Sequence, residues 1–214
     1  MIKRLTILAA GCLAATASFS HDGEDHSGGS VSSVISPDVE EALKQAPTAL
    51  PWEVGGSFEL VDHTGEVRDQ SDPDGKYQLL FFGYATCPGI CSAALPMMAD
   101  ATAHLEENGV ETSALVVTID PELDTLETMG PSLAQISERL LGLTGTPEAL
   151  SVAYDAYNVQ FEKIFDDPQY GPIYSHGSFI YLLDPAGNVL TQVPPILPPE
   201  QVSQIVQKYA KAGS

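Results

Sequence analysis

Apolar residues are spread unevenly along this chain, and their spacing predicts where the folded part begins. Residues 5–17 form a short apolar, alanine-rich run, and residues 21–50 read as a polar leader with room for a short helix over 37–44. From Trp52 the pattern becomes that of a globular domain. Residues 57–61 suit a strand, Asp62-His63-Thr64-Gly65 a turn, and a second strand follows, so the domain is expected to open on a β-hairpin. Asp74-Gly75 is another turn. Tyr77-Gln78-Leu79-Leu80-Phe81-Phe82-Gly83-Tyr84 is almost continuously apolar, as a strand buried on both faces should be. After Thr86-Cys87-Pro88-Gly89-Ile90-Cys91 a helix is predicted through Ala103 to Glu107, stopped by Asn108-Gly109.

Residues 112–119 form a second buried strand, closed by Asp120-Pro121. A helix is predicted over 131–141. Another begins at Gly145-Thr146-Pro147, with Thr146 as N-cap and Pro147 at the first helical position. Residues 159–165 and 178–183 read as strands, and Asp184-Pro185-Ala186-Gly187-Asn188 turns the chain into a return strand over 189–193. Pro198-Pro199-Glu200 opens a final helix with Val202, Ile205, Val206 and Tyr209 on one face. Buried strands alternating with helices before a closing hairpin and helix imply an α/β fold, a mixed central sheet flanked by helices. No internal repeat is present.

The N-terminus changes this picture. Lys3 and Arg4 precede the apolar run, and Ala15-Thr16-Ala17 and Ser18-Phe19-Ser20 both resemble cleavage sites. The run is shorter than the roughly 20 residues that span a bilayer. The expected division is a signal peptide over 1–20, a flexible acidic leader over 21–50 that contains His21 and His26, and the folded domain over 51–214. The product would be periplasmic or otherwise extracytoplasmic. Lipid attachment at Cys12, in Leu8-Ala9-Ala10-Gly11-Cys12, is a less favoured route to the same compartment.

Charge narrows the partners. The chain of 214 residues has 29 acidic and 9 basic side chains, a net charge of −20. Such a body repels nucleic acid and anionic lipid, attracts basic proteins and concentrates cations. Solubility alone would also account for it.

If Cys12 leaves with the signal, Cys87 and Cys91 are the remaining cysteines. A bridge closing so small a loop constrains the unfolded chain little, so chemistry explains the pair better than stapling does. Four residues apart where a strand feeds a helix, both sulfurs can share one helix face. The helix N-terminus there favours thiolate. This arrangement permits a metal chelate and equally a redox pair, with Cys87 attacking and Cys91 resolving. His176, in Tyr174-Ser175-His176-Gly177-Ser178, precedes the strand over 178–183. In a thioredoxin-like sheet that loop faces the cysteine turn. Redox enzymes of that fold place a proline there, and here the nearest is Pro172. Two thiolates and an imidazole suit Cu(I) and can also hold Cu(II) or Zn. His63, in a turn, and His104, on a polar helix, are expected at the surface. The acidic His21 and His26 tract can bind metal only loosely.

Several separated segments together resemble the SCO/SenC family, copper-binding assembly factors of cytochrome c oxidase. They are Phe81-Phe82-Gly83-Tyr84 with Cys87-Pro88-Gly89-Ile90-Cys91, Asp120-Pro121-Glu122-Leu123-Asp124-Thr125, Leu143-Thr144-Gly145, and His176 before Tyr181-Leu182-Leu183-Asp184-Pro185-Ala186-Gly187. The resemblance implies a thioredoxin-like fold with an added N-terminal β-hairpin. It implies copper held by Cys87, Cys91 and His176. It also implies a client, the dinuclear copper-centre subunit of the oxidase or another copper protein, with a thioredoxin-like reductant as a second partner. The chain departs from the family pattern at Gly89, Ser92, Leu123, Ser175 and Gly177, around the ligands rather than at them. Asp120 and Asp124 are retained, either to steer a partner or support the site, or as solvated residues capping a turn.

The expectation is therefore a monomeric copper-binding protein rather than an enzyme. The alternatives are a thiol–disulfide oxidoreductase or peroxide-reducing enzyme using Cys87 and Cys91, and a general periplasmic copper buffer.

Overall fold

The computed structural model describes residues 50–212. The expected signal peptide, Cys12, the 37–44 helix, and His21 and His26 of the leader lie outside the described residues. The strands are β1 (Glu59–Asp62), β2 (Val67–Asp69), β3 (Tyr77–Gly83), β4 (Thr112–Thr118), β5 (Leu140–Thr144), β6 (Phe161–Asp167), β7 (Gly171–His176), β8 (Ile180–Leu183) and β9 (Val189–Val193). The helices are α1 (Cys91–Glu107), α2 (Met129–Ala134), α3 (Pro147–Ala156) and α4 (Pro199–Ala212).

Seven strands form one mixed sheet in the order β2-β1-β5-β4-β3-β8-β9. The centre, β5-β4-β3, is parallel, and β1 and β8 flank it antiparallel. Side chains alternate across a strand, so each central strand feeds two cores. Leu79 and Phe81, Ala114 and Val116, and Ile180 and Leu182 join α1 and α4 in one cluster. Leu80 and Phe82, Leu115 and Val117, and Tyr181 and Leu183 join α3 in the other. That double burial is why β3 and β4 read as unbroken apolar runs. The N-terminal hairpin is present as β1-β2, seated on the edge of β5. Thr146 caps α3 through a hydrogen bond from Ala149 N, with Pro147 following it.

Two expectations need correction. The helix predicted over 131–141 stops at Ala134, and residues 140–144 are the third central strand, β5. Gly142 makes this packing possible. A Cβ there would meet the side chain of Met129 at 2.6–2.8 Å, so its absence lets α2 lie on the strand. The strand predicted over 159–165 runs instead as β6, and it does not join the sheet. It pairs antiparallel with the unpredicted β7, with a register shift between Lys163 and Phe165, to make a separate two-stranded ribbon. Among the described residues no helix is long and apolar enough to cross a membrane.

Candidate metal centre

Cys87 lies in the turn between β3 and α1, and Cys91 is the first residue of α1. The chain leaves the sheet at Gly83 because no larger residue fits there. A Cβ would stand 2.6 Å from the Phe81 ring and 3.1 Å from Cys91 Sγ. Cys91 is buried and Cys87 half-buried, and both are free thiols. His176 ends β7, so its position on the ribbon replaces the loop position expected from sequence. Cys87 Sγ, Cys91 Sγ and a His176 ring nitrogen all lie within 4.8 Å of one another. The Cys91 Sγ to His176 Nε2 distance is 3.7 Å.

His176 is oriented from both sides. Its Nδ1 lies 2.8 Å from the carbonyl oxygen of Gly177. A carbonyl only accepts, so Nδ1 carries a proton, and Nε2 is turned to the sulfurs, where it could ligate an ion. The ring is edge-on to Phe81 at 5.9 Å and to Tyr84 at 6.1 Å. These aromatic walls and the tyrosine behind them, Tyr174 at 5.4 Å from Tyr84, were not singled out as site residues from sequence. The one available signal was that Tyr84 ends the apolar strand just before the cysteine turn.

Electrostatics divide the two thiols. The Cys91 S–H hydrogen bond, helped by His176 and by the amides of Cys91 and Gly89, outweighs burial and pulls the Cys87 thiol down to about 4. The proton left on Cys91 is held by that same bond to Cys87 and by burial, which push its thiol well above the ordinary range. The resting pair is one thiolate and one thiol sharing a proton. A soft cation bound here would displace that proton, and the two sulfurs would then both be available to it as thiolates.

The retained acidic pair is not solvated. Asp120 and Asp124 are each 2% exposed. Burial lifts Asp124 to about 6, against hydrogen bonds from Thr118 and Ala85 and with the Asp120 charge adding to the rise. Its folded value lies above its unfolded value of 3.8, so the folded state binds the extra proton and ionisation opposes folding. Relative to Asp124→Asn, the wild type should lose up to about 3 kcal/mol as pH rises from about 4 to about 6, and no more above that. The lowered Cys87 thiol acts in the opposite direction over this window but cancels between the two proteins. Urea unfolding of both at several pH values checks this, and a constant difference would contradict it.

Other residues fall elsewhere. His63 Nδ1 accepts from Gly142 N at 3.0 Å and serves as a structural link between β1 and β5, only partly exposed. His104 is partly exposed beside Glu107 and Glu200. Pro172 is in β7, opposite Asp166. Of the departures from the family pattern, a Cβ at Gly89 would lie 3.8 Å from Cys87 Sγ and one at Gly177 would meet nothing, so neither glycine is required by space. Ser92 Oγ donates to Gly89 O at 2.7 Å within the cysteine turn. Leu123 and Ser175 are exposed.

The model of the SCO1/SenC family matches residues 46–211. The chain belongs to this family. Among relatives, the mitochondrial SCO2 homolog of Bos taurus is 34% identical over 174 residues, covering 80% of this chain and 64% of the bovine protein. The chain therefore spans less than two thirds of that relative's length. The SCO2-like protein of Rickettsia felis is 31% identical over 140 residues, 64% of this chain and 67% of its own. Among solved structures, Arabidopsis thaliana ScoI with copper bound superposes with a TM-score of 0.68 at 26% identity, covering 74% of this chain and 99% of that one. Bradyrhizobium japonicum ScoI with copper bound gives 0.65 at 28% identity, covering 73% and 99%. The fold shared with these family members is the α/β, thioredoxin-like one expected from sequence.

Proposed function

We propose that this chain is an exported copper carrier that supplies the dinuclear copper centre of cytochrome c oxidase, or keeps that centre's cysteines reduced. The observation that carries the reading is the convergence of Cys87, Cys91 and His176 from two separate parts of the fold. Their softness and number suit Cu(I), with Cu(II) accommodated by the same set. Copper-bound relatives of the same fold support the choice of metal. An incomplete, partly exposed shell suits an ion that must leave again by ligand exchange. The acidic body suits a client or reductant with a basic docking face.

Anaerobic Cu(I) titration of the reduced protein against a competing chelator tests this. One equivalent should bind tightly, and His176→Ala should weaken it by on the order of tenfold to a hundredfold, about 1.4 to 2.8 kcal/mol. Unchanged affinity would remove His176 from the site. The lowered Cys87 thiol favours a second reading, a thiol–disulfide oxidoreductase or peroxide reductase. Rapid turnover with a thioredoxin or a peroxide, without tight copper binding, would support it.

A further inference from the structure

The turn from Asp120 to Asp124 is bonded to the start of the cysteine loop. Asp124 Oδ2 accepts from Ala85 N at 3.0 Å, two residues before Cys87, and from Thr118 Oγ1 at 2.8 Å. Thr118 Oγ1 in turn accepts from Asp120 N at 2.9 Å. The turn is itself anchored, because Thr144 Oγ1 of β5 donates to Asp124 O at 2.9 Å. Asp120 Oδ2, by contrast, is buried with no hydrogen-bond partner among the described residues. One turn thus holds the cysteine loop through Asp124.

We propose that Asp124 is a positioning residue that sets the cysteine turn. The proposal rests on the metal-binding reading for its consequence but not for its geometry. The acceptor at position 124 faces a main-chain N–H that no side chain on the cysteine loop satisfies. Asparagine offers the same acceptor oxygen; alanine offers none.

The test uses the whole reduced protein with two readouts, one independent of copper. The first is Cu(I) affinity against a chelator. The second is the Cys87–Cys91 disulfide equilibrium in glutathione buffers. Asp124→Ala should lower Cu(I) affinity about tenfold and disfavour the disulfide about tenfold, equal to about 30 mV for this two-electron couple. Asp124→Asn should restore both. Thr118→Val, which removes the hydroxyl that donates to Asp124 Oδ2, should shift both readouts in the same direction by a smaller factor, and it decides the matter if Asp124→Ala does not fold. Wild-type values for Asp124→Ala or for Thr118→Val would overturn the proposal, as would an asparagine variant that behaves like alanine. If wild type binds no copper while Asp124→Ala still shifts the disulfide, the function reading fails and the positioning of the cysteine turn stands.

Discussion

Cys87→Ser is expected to weaken Cu(I) binding by on the order of a thousandfold, about 4 kcal/mol, with the fold intact. Two features make this the largest functional effect. Cys87 holds the resting negative charge of the pair, so it is the first thiolate an incoming cation meets. Its hydroxyl replacement is a hard, protonated donor that a soft ion prefers little over water. The substitution should also free Cys91, because the thiolate that holds the Cys91 proton is gone. Structure should tolerate the change. Cys87 is half-buried and packs at the edge of both apolar clusters, so at about pH 4, where its lowered thiol adds little to stability, unfolding free energy should shift by no more than about 1 kcal/mol. Competition titration and urea unfolding check the two halves. Retained tight binding would mean the ion is held by other groups.

Phe81→Ala is expected to cost about 3–5 kcal/mol of stability, a large share of the 5–15 kcal/mol available to a domain. Phe81 is wholly buried in the centre of β3, paired with Val116 of β4. Its ring fills the space that Gly83 leaves open and lies edge-on to His176. Removing it opens a cavity beneath the imidazole as well as in the core. Cu(I) affinity should therefore fall together with stability, which a remote core truncation such as Leu105→Ala would not produce. Equal copper binding in Phe81→Ala would show that Gly177 and Tyr84 orient His176 without Phe81.

How far the sequence could be read depended on whether a segment's surroundings were encoded locally. β3 and β4 were legible because burial on both faces leaves no polar alternation to confuse them. β5 was not. Leu140-Leu141-Gly142-Leu143-Thr144 follows a helical stretch directly, and an apolar run of that length fits the end of a helix as well as a strand. Only pairing with β4 on one side and β1 on the other decides it. β7 was hidden by Gly171 and Pro172 at its start, which read as loop. Its partner β6 is exposed along most of its length, so no burial pattern marked the pair. The three candidate donors, which the fold brings together, were readable from residue type and family pattern. The burial of Asp120 and Asp124 was not, because a carboxylate buried by distant strands has the same letter as one in solvent.

His176 reaches the cysteines across 85 residues of intervening chain. Cys87 and Cys91, by contrast, are close neighbours in any conformation. An unfolded chain therefore offers two sulfurs but not the full donor set, because closing that loop has an entropic cost that only the completed sheet and ribbon offset. If the proposed set binds the ion, part of the affinity is created by folding, and by linkage the ion favours the folded chain to the same degree. The third donor would then act as a maturity check: a chain that has not finished folding would hold the ion more loosely than one that has.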